Sequence, residues 1–455
     1  MKDVRLAPDR AETQSVRSLM PGARFAAAAL RLTAILIFLM AAALLFASDT
    51  ATFRGDAAHT GVYNSPGVAQ LKGVKWTFHA EGQLIASPAI AGDTIYIAGT
   101  AGKLYAVDRA TGNKKWELDL KTRLTSSPAV AGGLVYLAAF DGNFYAVDAS
   151  AGQVKWKFQT AGERRFSGKH LHGMQPAGDN MPDPWDCWLS SPVVSNGAVY
   201  FGSGDHNIYA LDAATGALKW RFATGDVVHA SPAIADGMLF IGSWDSNFYA
   251  LDVSTGKEMW RFKTGIDAEN HNQEGIQSSA AVADGVVYFG CRDSHLYALD
   301  EKTGEKKWAF STKGSWVLNS PAVSKGLVFF GTSDTGLLYA ADAKTGAIAY
   351  AVGFNGWPVY SSPAIAGDML YVGSTEGKLV AVETPGGRVA WTFETEASKQ
   401  AGIKSYFAPF TTDFYDDVMT AYGKLLAMGP ILGSPVVMDK VVYFGSVDGN
   451  LYALN

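Results

Sequence analysis

One unit is repeated eight times along the chain, and its internal length barely varies. Each copy opens on a serine, followed by proline in all but the fifth, at Ser87, Ser127, Ser191, Ser231, Ser279, Ser320, Ser362 and Ser434. Twenty-nine residues later stands Trp116, Trp156, Trp220, Trp260, Trp308 or Trp391; the sixth copy takes 30 residues and reaches Tyr350. From the aromatic residue to the next serine the count is 11 or 12 in five cases but 35, 19 and 43 in the other three. A fixed period of this length marks a repeat array whose units cannot bury their apolar faces alone. The constant part is scaffold, and the variable part is where function is sought.

Residues 127–158 show what the unit is. Four short β-rich runs, Pro128–Val130, Leu134–Ala138, Asn143–Val147 and Val154–Phe158, are separated by Gly, Asp and Asn. Proline is tolerated at a strand start, Asp141-Gly142 suits a tight hairpin, and the last run alternates with a period of two. Eight four-stranded antiparallel units predict an all-β, eight-bladed propeller, in which radial repetition protects the strand edges. The eighth unit stops at Leu451–Asn455, after its third strand, while Val74-Lys75-Trp76-Thr77-Phe78 precedes the first serine as a spare fourth strand. The N-terminal strand is therefore expected to complete the last blade and close the ring. The repeating tryptophan, Thr-Gly and Ser-Pro positions read as packing and turn chemistry.

The apolar content of 48% supports a full core, and a net charge of −5 without any basic run argues against nucleic-acid binding. The expected organisation is a polar, arginine-bearing segment 1–24, an apolar segment 25–47, a lead-in 48–71 and the propeller 72–455. The longest uncharged apolar part, Leu32–Ala47 with one threonine, has 16 residues, short for a span of ~20 and suited to a signal-peptide core. Signal peptide and uncleaved anchor both remain open, and either exports the repeats, with arginines on the inner side. Membrane contact is expected only through this segment, and lipid attachment is not expected because no cysteine lies near it. Cys187 and Cys291 are the two cysteines, and the sequence leaves their pairing open.

The stretch Ile208-Tyr209-Ala210-Leu211-Asp212-Ala213-Ala214-Thr215-Gly216-Ala217-Leu218-Lys219-Trp220 resembles the pyrroloquinoline-quinone-like (PQQ-like) propeller repeat, and the pattern recurs along residues 53–455. Phe53–Gly61 resembles the lead-in common in such proteins. The resemblance implies one of two functions. One is a non-catalytic, loop-mediated scaffold similar to BamB-type propellers of the outer-membrane protein assembly machine. The other is a PQQ-dependent dehydrogenase. Enzymes of that kind hold the quinone over the channel between a tryptophan and a vicinal disulfide, beside a calcium ion bound by Glu, Asn and Asp.

Strand parity places the irregularity. In an up-and-down blade the turns between first and second and between third and fourth strands share one face. Turns between second and third strands share the other face with the blade-to-blade returns. All three long returns, Gly162–Leu189, Gly265–Gln277 and Glu394–Gly433, thus gather on one face, where loops vary freely on a rigid frame. The first carries Arg165, His170, His172, Trp185 and Cys187; the second carries His271, Asn272 and Glu274. The third suggests a lid-like helix from Asp413 to about Met428 through the stripe Phe414, Val418, Ala421, Tyr422 and Leu425. Turns on this face add His206, Trp244-Asp245 and Cys291-Arg292-Asp293-Ser294-His295. His229 and Gln277 stand two residues before their repeat serines, where most copies are apolar.

Six of the eight histidines fall on this face. The leading expectation is an exported, non-catalytic propeller that binds a protein partner or small ligand there. A quinoprotein is the alternative, with Trp244, Trp316 or Trp357 stacking and Glu274, Asn272 and Asp293 binding calcium; the 104-residue separation of the cysteines rules out a vicinal disulfide. A metal centre built from His170, His172, His229, His271 or His295 is the third.

Overall fold

A computed structural model describes residues 51–169, 171, 178–265, 275–401 and 418–455, and residues 49–455 form one compact unit. The apolar segment 25–47 lies outside the described residues, among which no helix is long and apolar enough to cross a membrane. Eight four-stranded antiparallel sheets make the propeller. Blade 3 is representative, with strands A to D at Val193–Ser195, Ala198–Ser203, Asn207–Asp212 and Leu218–Ala223. In blade 8, Val74–His79 supplies strand D and pairs antiparallel with Asn450–Leu454.

Each strand-D tryptophan serves the next blade. The Trp220 indole N–H donates to Val253 O at 3.1 Å, and Trp260 donates to Glu301 O at 3.0 Å. Tyr350 keeps the role with its hydroxyl on Thr384 O. The ring lies flat on the next Thr-Gly turn: a Cβ on Gly256 would meet the Trp220 ring at 2.6 Å, and Gly256 has φ +71°. The eighth copy has no Thr-Gly turn, and there Trp391 donates to Val68 O of the lead-in at 2.7 Å.

The repeat serines form a second, inner latch. Seven of the eight hydroxyls accept from the backbone N–H of the serine one blade earlier, as in Ser127 N to Ser191 Oγ (3.0 Å) and Ser191 N to Ser231 Oγ (2.9 Å). The latch is made at seven of the eight blade junctions, including Ser434 N to Ser87 Oγ at 2.7 Å. In blade 2 strand A runs Ala129–Ala131, one residue later than expected, and it starts at the same offset in blade 5, where Ala280 stands in place of the proline.

Two features depart from the simple reading of the repeat. Strand D does not alternate throughout. A bulge between Ala210 and Leu211 in its pairing skips Lys219, so Leu218 and Lys219 are both exposed before Trp220 turns inward. The lead-in, moreover, enters the channel. Ala51 bridges Val130 of blade 2, and the carbonyls of Ala57, Ala58, Thr60 and Gly61 accept from strand-A amides of blades 4, 5, 6 and 7. Arg54 is buried and donates to Pro321 O (2.8 Å) and Pro363 O. Burial, reinforced by Arg54, pushes the His59 pKa down to about 3, so the plug carries a neutral imidazole.

Gly256→Ala should lower stability by about 2–4 kcal/mol, the sum of a left-handed backbone penalty and overpacking against Trp220. Gly237, φ +78° but with open space around it, should show only the backbone part when changed to Ala. Equal losses in denaturant unfolding would show that the tryptophan contact adds nothing.

Candidate functional site

The 162–189 return builds the mouth of the channel. A two-stranded ribbon, Ser167–Lys169 with Asn180–Pro182, leads the chain back over the ring. There Asp183 N donates to Phe166 O at 2.8 Å, and Asp183 Oδ1 accepts from Trp185 N at 2.7 Å. This turn sets two buried carboxylates, Asp183 and Asp186, above blades 3 to 5.

Both carboxylates are paired. Asp186 Oδ1 lies 2.6 Å from His229 Nδ1, and Asp186 Oδ2 accepts from Phe166 N at 2.6 Å. On the other side of the ring, His229 Nε2 lies 2.9 Å from Glu163 Oε1, which also accepts from Gly204 N. Gly204 is needed for this approach, because a Cβ there would stand 2.1 Å from Glu163 Oε1. Burial alone would push the His229 pKa down; Asp186 and Glu163 more than reverse this and hold it up at about 10. The imidazolium thus bridges the returning strap to the ring.

A second pair lies beside it. Arg292 Nη1 donates to Asp183 Oδ2 at 2.7 Å and Nη2 to Gln277 Oε1 at 3.0 Å, while Gln277 Nε2 donates to Trp185 O at 2.8 Å. The guanidinium sits 4.2 Å from the Trp244 ring centroid and 4.8 Å from that of Trp316. Phe166 stacks on Trp244 at 4.4 Å and 14°. Trp185 meets Tyr360 at 5.3 Å and Tyr422 at 5.0 Å. Tyr422 belongs to the helix Val418–Ala427 of the third return, whose earlier part lies outside the described residues. Below, a cavity of about 60 Å³ is lined by the eight repeat serines, His229, Gln277 and Trp188.

The structure brings Trp185, His229, Trp244, Gln277, Arg292 and Trp316 into this one cluster. It places others apart. His206 is half-exposed beside Asp226 (3.9 Å), and His295 Nδ1 lies 2.8 Å from Asp293 O. Asp245 and Asp293 hold blade junctions: Asp245 Oδ2 accepts from Gly225 N and Tyr249 Oη, and Asp293 Oδ2 from Gly265 N and Tyr297 Oη. Trp357 is buried in the core around blades 6 and 7, and Arg165 is half-buried on the strap. His170, His172, His271, Asn272 and Glu274 lie outside the described residues. His206, His229 and His295 are thus not gathered into one pocket; each stands beside a different partner. Among the described residues no group of three or more His, Cys, Asp or Glu could hold a metal ion. Cys187 and Cys291 are buried free thiols, and burial pushes Cys187 up to about 11.

The residues present do not fit a stacked quinone at the mouth. Trp244 is 1% exposed, its ring already covered by Phe166 and Arg292, and the thiols are not joined. Glu163, Asp183, Asp186 and Phe166 are the working residues that the repeat pattern did not single out as site residues. Asp183 and Asp186, which flank the Trp185 position in the long return, gave the only available signal.

Fold and mouth together define a PQQ-like repeat propeller whose channel is plugged below and strapped above. Its sequence matches the family model described as outer membrane protein assembly factor BamB over residues 72–172, 173–315 and 292–455, and the chain belongs to that family. No curated protein sequence matches it. Among solved structures it is similar to BamB from Moraxella catarrhalis, with 18% identity, a TM-score of 0.60, and 84% of this chain and 97% of that one covered. It is also similar to the quinohemoprotein alcohol dehydrogenase from Comamonas testosteroni, with 16% identity, a TM-score of 0.66 and coverage of 90% and 80%. At these identities the likenesses establish the fold.

His229→Gln tests the bridge. Because the folded-state pKa of His229 lies above its ordinary value near 6.5, its contribution is complete below that pH and is lost as pH rises towards 10. The stability difference between wild type and variant should therefore shrink from pH 6.5 to 10 in denaturant titrations. A constant difference would remove the imidazolium from the account.

Proposed function

We propose that the protein is an exported, non-catalytic propeller that binds a protein partner or small ligand through the face built by its long returns. The observation that carries this reading is the filling of the channel mouth by Arg292, Trp244, Trp316 and Trp185, the protein's own groups. Binding is thereby left to the outer surface of the returns. Family membership supports a protein partner in general, and the arginine-flanked segment 25–47 supports a position outside the cytoplasm.

Photo-crosslinking side chains placed at Arg165, His206 and His295 should give discrete adducts in cells, whereas one at Asp236, on the opposite face, should not. Adducts confined to Asp236 would overturn the assignment of the face. Purified protein given quinone, calcium and an electron-accepting dye should not oxidise alcohols; turnover would overturn the non-catalytic reading.

A further inference from the structure

The outer rim of the ring is not uniform. Four side chains of each strand D lie on the outer side, at Trp −2, −1, +1 and +3. In blades 2 to 4 six of these twelve positions are cationic, Lys155, Lys157, Lys219, Arg221, Arg261 and Lys263, and one is acidic, Glu258. In the other five blades five of twenty are cationic, Lys75, Lys114, Lys115, Lys306 and Lys307, and three are acidic, Glu117, Asp119 and Glu394. A chain of net charge −5 thus gathers cationic side chains on the outer strands of three adjacent blades.

Nearby carboxylates do not cancel their charge. Lys155 pairs with Asp148 at 3.0 Å, Lys219 lies 3.8 Å from Asp212, and Arg261 is held by both oxygens of Glu258. Asp252 caps its own Thr-Gly turn. One cation per blade is left over. Lys157 and Arg221 make no ion pair among the described residues, and Lys263 donates only to a carbonyl, Asp245 O, at 2.6 Å.

Apolar groups accompany the charge. Among the described residues, five large hydrophobic side chains are exposed, and Val154 (41%), Leu218 (48%) and Met259 (55%) belong to these same blades. They stand at the start of strand D, on the edge away from the long returns.

We propose that blades 2 to 4 form a docking rim for an anionic lipid surface. The surplus cations Lys157, Arg221 and Lys263 would face the headgroups, and Val154, Leu218 and Met259 would enter the headgroup boundary. Cations beside exposed apolar groups are the combination that binds such an interface. A flat surface tangent to the ring meets only a few adjacent blades, which matches the extent of the patch. The rim is separate from the long-return face, which stays open to its own partner, and the proposal stands whether or not that partner is found.

The 49–455 unit closes its own ring through Val74–His79 and omits the apolar segment, so it isolates the rim. A single cooperative melt confirms its folding. In sedimentation with vesicles it should bind phosphatidylcholine containing phosphatidylglycerol and not phosphatidylcholine alone, with binding lost at high salt. Lys157→Ala, Arg221→Ala and Lys263→Ala should each weaken binding about fivefold without changing the melt. Leu218→Ser with Met259→Ser should weaken it further. Equal binding to both vesicle types, no binding to either (as expected if the rim served an acidic protein), or indifference to the three alanine changes would each overturn the proposal.

Discussion

Everything in this structure hangs on the contact between one blade's tryptophan and the next blade's Thr-Gly turn. The indole both covers a glycine that has no Cβ to obstruct it and donates to the carbonyl behind it. Such contacts couple nearest neighbours, so a ring is stable only when every junction is made. The eighth junction shows how strict this is: Trp391 finds Val68 of the lead-in in place of a turn, and Val74–His79 supplies the missing strand. The N-terminal segment is therefore part of the ring, with Arg54 and its neighbours seated in the channel.

A frame held in this way can carry long insertions on one face without loss. Its channel mouth is closed by buried charges, an arrangement tolerable only because each charge is paired and hydrogen-bonded. Asp186 and Glu163 face His229, and Asp183 faces Arg292. The aromatic rings then cover the guanidinium and leave no open stacking surface on Trp244. The strap and the ring thus form one unit at the place where dehydrogenases with this repeat are expected to hold their cofactor.

The sequence made some of this legible because repetition averages out ambiguity: one short apolar run is equivocal, but eight at fixed spacing are not. The blade count came from the constant spacing, the face of the long returns from the departures in that spacing, and His229 and Gln277 from polar side chains where most copies are apolar. Local alternation failed at strand D, where a bulge exposes Leu218 that the period of two would bury. The turn aspartates take partners that the local sequence does not show. Asp245 and Asp293 look like site residues beside Trp244 and Arg292, yet they hold the preceding blade through Gly225 and Gly265. A partner one blade away carries no signal in the residue's own surroundings.

The regular spacing by itself determined the propeller, its number of blades and which face bears the insertions, since a period constrains every copy at once. Only the tertiary structure decided what those insertions do at the mouth. Glu163, Asp183 and Asp186 find His229 and Arg292 across separations of 66, 109 and 43 residues, and the match depends on the fold of irregular loops over the ring. The same is true of the cationic rim. Each strand carries an ordinary lysine or arginine, and a continuous patch exists only because the ring places three such strands side by side.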